Sequence, residues 1–75
     1  MISLRDVDVG KRCRIVKLVG DDFILRRFLD IGIVPGACIE KGYSSILGGI
    51  RAYFVMGTTI AIRDDDIEGV IVEYE

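Results

Sequence analysis

The sequence predicts a small, mainly β domain: a closed or nearly closed barrel of about five short strands with one short α-helix inserted. Three observations predict it. The chain has 75 residues, enough to surround one core, so residues 1–75 are expected to form a single domain. Stretches rich in β-branched and aromatic residues alternate with glycines along most of its length. One stretch alone, residues 24–29, spaces its apolar side chains as a helix does.

Val9-Gly10-Lys11 reads as a turn into a strand over residues 13–19. Cys13 and Ile15 share one face of that strand, and the apolar phase then slips toward Leu18. A period-2 pattern changes sides only where an extra residue is inserted, so a bulge or bend is expected near Val16. Gly20-Asp21-Asp22 is a helix start, because an aspartate side chain accepts from the first free amides and complements the dipole. Ile24, Leu25, Phe28 and Leu29 then form one apolar stripe, while Arg26, Arg27 and Asp30 project from the other side. Gly32 ends this helix of about two turns with a left-handed cap, Ile33 folds back, and Pro35-Gly36 forms the next tight turn.

Residues 37–43, 50–55, 58–62 and 70–74 have strand composition. Gly57 marks a tight hairpin between the second and third of these. Asp64, Asp65 and Asp66 open a short helical turn that contains Ile67. The strand at 50–55 carries bulk on both faces, so one set must face away from the core; if Tyr53 and Val55 fill the core, Phe54 and Met56 lie outside and are expected to form an apolar contact surface.

Composition excludes several functions. At 51% apolar residues the chain is not disordered, and a net charge of −2 without a basic run longer than two residues argues against tight nucleic-acid binding. Charge is nonetheless uneven: residues 5–27 carry seven basic and four acidic side chains, residues 64–75 six acidic and none basic. No apolar stretch reaches the length of a signal-peptide core or the ~20 residues of a spanning helix, so a cytoplasmic protein without membrane insertion is expected. The sequence contains no histidine, the usual general base, transition-metal ligand and pH switch. Catalysis is therefore not expected, and neither is a cofactor.

The remaining candidates are weighed residue by residue. Cys13 and Cys38 belong to no CxxC pair and read as two buried small apolar side chains. Asp64 to Asp66 offers carboxylates to a divalent cation, but consecutive residues diverge and aspartates at a helical turn need no metal, so no metal site is assigned. Tyr43, Tyr53 and Tyr74 beside scattered Arg and Lys would suit a base-stacking platform, which keeps a nucleic-acid-binding small barrel as an alternative. Arg26 and Arg27 are either solvated surface or a pair that grips a partner's carboxylates.

The run Arg26-Arg27-x-Leu29-Asp30-Ile31-Gly32-Ile33-x-Pro35-Gly36, followed by Leu47-Gly48, Gly57, Ile60-Ala61-Ile62-Arg63 and Ile67, resembles the FeoA family of ferrous iron transport protein A. The likeness also takes in Leu4 and Val9-Gly10, so it spans nearly the whole chain. It implies an SH3-like barrel, cytoplasmic, that accompanies the membrane transporter FeoB, whose cytosolic portion binds GTP. The same barrel also forms the last domain of iron-dependent repressors, which makes a metal-sensing domain a further alternative. Where the family often has Pro-Leu-Gly-Asp-Pro, this sequence reads Ile46-Leu47-Gly48-Gly49-Ile50 and lacks the acid and both prolines. Carried over by position, the resemblance implies a partner surface made by Arg26, Arg27, Leu29, Gly32, Pro35 and Gly36, with Leu47 and Gly48 second. Phe54 and Met56 join these as a surface for the same partner or for a second copy of the chain.

Overall fold

The computed structural model describes residues 1–44 and 48–75. Among the described residues, six strands form one antiparallel sheet in the order β1-β6-β2-β3-β4-β5. The strands are β1 (Ile2–Ser3), β2 (Arg12–Leu18), β3 (Cys38–Ser44), β4 (Ile50–Val55), β5 (Thr58–Arg63) and β6 (Val70–Tyr74). A 3-10 turn over Leu4–Asp6 follows β1, helix α1 (Asp22–Asp30) joins β2 to β3, and the short α2 (Asp64–Ile67) joins β5 to β6. The sixth strand, β1, is the addition to the expected five. Two residues are too short to show a period in the sequence; Ile2 and Ser3 become a strand only by lying opposite Val72 and Ile71.

The sheet curls around one core. Cys13 and Ile15 of β2, Ile39 of β3, Tyr53 and Val55 of β4, Ile62 of β5 and Val70 and Val72 of β6 belong to a single buried cluster with Leu4, Val7, Phe28, Ile33 and Ile67. Strands from opposite margins of the sheet reach the same cluster only if the sheet folds over on itself, and the molecule is nearly as thick as it is wide, 29 × 27 × 22 Å.

The expected break in β2 lies where the register against β6 shifts, between Ile15 and Lys17. Ile15 faces Val72 and Leu18 faces Val70, so the bulge lets residues three apart address the same buried side of β6. The β4–β5 hairpin closes through Met56 and Gly57, at φ 50° and 80°, as a two-residue turn whose twist matches that of its strands.

Helix α1 is fixed at both ends. The Ile24 amide donates to the Asp21 carboxylate at 2.9 Å. At the other end Gly32, at φ +88°, turns the chain so that the Ile33 amide donates to the Phe28 carbonyl at 2.9 Å and that of Gly32 to the Leu29 carbonyl at 3.2 Å. This is a Schellman cap, with buried Ile33 and Phe28 as its apolar contact. Pro35 and Gly36 then form the centre of a turn closed by the Ala37 amide on the Val34 carbonyl at 3.1 Å, and the Gly36 amide pins it to Ile15 of β2 at 2.8 Å.

Candidate docking surface

Helix α1 lies on the barrel by one residue per turn. Phe28 is buried, Ile24 and Leu25 are half-buried, and Leu29 is 61% exposed, so the expected four-residue stripe meets the core mainly at Phe28. Leu29 lines an open groove with Leu25, Arg26 and Asp22 of the helix, Lys17 and Leu18 at the end of β2, and Pro35. Its floor is apolar and its rim carries Lys17 and Arg26 against the single carboxylate of Asp22. Such a groove can take an apolar side chain while the guanidinium binds a neighbouring carboxylate.

The two arginines do not share this groove. Consecutive helical positions are rotated by about 100°. Arg27 accordingly lines the opposite flank of α1 with Phe23, Ile24, Arg63, Asp65 and Asp66, and its guanidinium lies 4.0 Å from the Asp66 carboxylate. Asp64, by contrast, points into a cavity on another side of α2, so the three consecutive aspartates diverge.

Phe54 and Met56 lie outside the barrel, as alternation along β4 requires, and Met56 is 77% exposed. They border a third groove with Gly36, Cys38 and Arg12. The Pro35-Gly36 turn thus connects the first and third grooves, Pro35 lining one and Gly36 the other. Gly32, at φ +88°, shapes this region as the helix cap. Gly48, at φ +68°, lies exposed in the approach to β4, and Leu47 lies outside the described residues.

One cysteine departs from expectation. Cys13 is buried but Cys38 is exposed, because Cys38 has the opposite parity to core-facing Ile39. Its thiol donates to Oε1 of Glu75 at 2.6 Å. That hydrogen bond, then desolvation, raises the Cys38 pKa, and burial raises that of Cys13, so both thiols stay protonated near neutral pH. Tyr53 is fully buried while Tyr43 and Tyr74 are exposed, so the three tyrosines form no common stacking platform. Phe23, 73% exposed, escaped the sequence reading. Its signal was available: it precedes the apolar stripe by one position and so projects beside it.

The family model of the FeoA domain matches residues 2–74. The chain belongs to the FeoA family. Membership implies an accessory role in ferrous iron transport. No curated protein sequence matches the chain. Among solved structures it is similar to the FeoA-like protein of Clostridium acetobutylicum, at 23% identity and a TM-score of 0.85 over 97% of this chain and 85% of that one. It is also similar to Stenotrophomonas maltophilia FeoA complexed with zinc, described as a procaryotic SH3 domain protein, at 21% identity and a TM-score of 0.80 over 97% of this chain and 91% of that one. T. acidophilum IdeR contains the same fold in 34% of its length, with 99% of this chain covered at 21% identity and a TM-score of 0.84. The FeoA domain described here is thus an SH3-like, mainly β fold with one helix inserted. Among its described residues, no helix is long and apolar enough to cross a membrane.

Proposed function

We propose that this FeoA-family chain is a non-enzymatic accessory protein of ferrous iron uptake that docks on the cytosolic GTP-binding portion of an FeoB-like transporter and modulates it. The observation that carries the reading is the open groove of Leu25, Leu29 and Pro35 rimmed by Arg26 and Lys17. A large apolar side chain exposed beside a rigid proline turn and flanked by cations supplies the anchor-and-rim pattern on which protein interfaces concentrate their energy. The barrel supports it by holding the turn against β2 through the Gly36 amide. The missing histidine and the protonated thiols support a role in binding rather than turnover.

The test is titration of the purified chain against the transporter's cytosolic domain. Leu29→Asp and Arg26→Glu are expected to weaken association by roughly 10- to 100-fold, the range of an interface anchor. Arg27→Glu is expected to weaken it less, because Arg27 faces the opposite flank toward Asp66. No association of the unaltered chain defeats the docking reading, and normal affinity in both Leu29→Asp and Arg26→Glu defeats the assignment to this groove. Sedimentation of the same samples over a concentration series separates use of Phe54 and Met56 by the transporter from their use by a second copy of the chain.

A further inference from the structure

The strand pattern of β3 and β4 places cations where the core should be. Ile39 and Lys41 share the inward side of β3, and Arg51, Tyr53 and Val55 share the inward side of β4, with Lys41 directly opposite Tyr53. Lys41 is only 7% exposed. Its ammonium donates to the Arg5 carbonyl at 2.7 Å, and Arg51 donates to the Gly42 carbonyl at 2.9 Å, where the β3–β4 register breaks between Lys41 and Ser44. These side chains, with Tyr53, Arg5, Asp64 and Ile67, line a partly open cavity of about 160 Å³. Tyr53 borders this cavity with no surface exposed to solvent, and its hydroxyl has no hydrogen-bond partner among the described residues.

We infer that this cavity is a binding site for a small oxyanion, held by Lys41, Arg51 and the Tyr53 hydroxyl. Three features meet there that an acceptor-only ligand explains together. The lining has more donors than acceptors: an ammonium has three N–H groups and a guanidinium five, and among the described residues Lys41 and Arg51 each engage one backbone carbonyl. Among the described residues neither Lys41 nor Arg51 forms an ion pair, whereas Arg5 is 3.7 Å from Glu68. The Tyr53 hydroxyl is a buried donor without an acceptor, a state costly enough that native interiors seldom keep it. Desolvation and then the Arg51 charge lower the Lys41 pKa, while Asp64, Asp6 and Asp8 act in the opposite sense. Asp64 opposes an anion, but it is one carboxylate facing three cations in the lining. A divalent cation would meet the reverse imbalance. A volume of this size suits a phosphate, sulfate or small carboxylate.

The experiment is thermal unfolding and calorimetric titration of the full chain with sodium phosphate, sulfate and acetate, against sodium chloride at matched ionic strength. A saturable rise in Tm of roughly 4–8 °C is expected below ~50 mM of at least one oxyanion, and the three salts report whether tetrahedral or planar oxyanions fit. Affinity is expected to fall roughly tenfold or more in Lys41→Met and Arg51→Gln and by a smaller factor in Tyr53→Phe. Tyr53→Phe removes a single oxygen and retains the buried ring, so it keeps the test decisive if the charge variants do not fold. A response no larger than that to chloride shows that water alone fills the cavity and overturns the inference. So does an oxyanion response in Tyr53→Phe that equals that of the unaltered chain.

Discussion

Tyr53 is the residue on which burial acts most strongly. Loss of solvent pushes its pKa from 10.0 up to about 12. Because the folded value is the higher one, the folded state holds the phenolic proton while the unfolded chain has already released it. The associated stability is complete below pH 10 and disappears as pH rises through about 12, an effect of about 2–3 kcal/mol. Chemical denaturation at pH 9 to 12 is expected to show this loss in the unaltered chain and a flatter profile in Tyr53→Phe. Lys41 works in the opposite direction, since its folded pKa lies below 10.5 and stability is lost as pH falls from that value toward the folded one. Alternation alone separated Tyr53 and Val55 from Phe54 and Met56, and the fold decided that the first pair faces the core. Lys41 was equally legible by parity with Ile39, yet a lysine is so rarely core that its charge hides the pattern. Cys38 was misread for the converse reason: free cysteine is usually buried, but its strand parity points it away from the core.

Among the elements, α1 was the most legible, because its signals are local. Asp21, the apolar spacing and Gly32 each act within one turn of the chain, and all three are realised. Asp21→Ala is expected to cost about 1 kcal/mol of unfolding free energy, since it leaves the Ile24 amide without its side-chain acceptor. Asp22→Ala, inside the first turn and without that bond, is expected to cost only a few tenths. Urea titration of the two variants beside the unaltered chain checks the difference. The exposure of Leu29 was not legible, because periodicity identifies an apolar side of a helix but not how much of it a curved sheet can cover. The short α2 likewise differs in detail: Arg63 occupies its N-cap position without a side-chain hydrogen bond, and Asp64 to Asp66 lie inside its first turn. Strand β1 left no pattern because its two residues are defined wholly by pairing with β6.

At the scale of the molecule, the barrel is drawn together where β2 meets the entry to β6. The Val19 amide donates to the Gly69 carbonyl at 2.7 Å, and a Cβ on Gly69 would lie 1.9 Å from the Val19 carbonyl oxygen. Backbone on both sides cannot yield as a flexible side chain would. Gly69→Ala is therefore expected to destabilise the fold by at least about 2–3 kcal/mol, and Gly10→Ala, with nothing within 4 Å, by the smaller cost of its positive φ alone. Comparison of the two melting temperatures checks this. The sequence by itself determined the single core, five of the six strands and the helix, the bulge in β2, the hairpin turn and membership of a family of small barrels. All of these depend on interactions between near neighbours or on a strand's own alternation. Tertiary structure alone decided that Arg26 and Arg27 serve different grooves, that Pro35 and Gly36 link two surfaces, and that Lys41, Arg51 and Tyr53 line a polar cavity. Those juxtapositions unite residues from separate elements, and the curl of the sheet that brings them together has no signature in any short stretch of the chain.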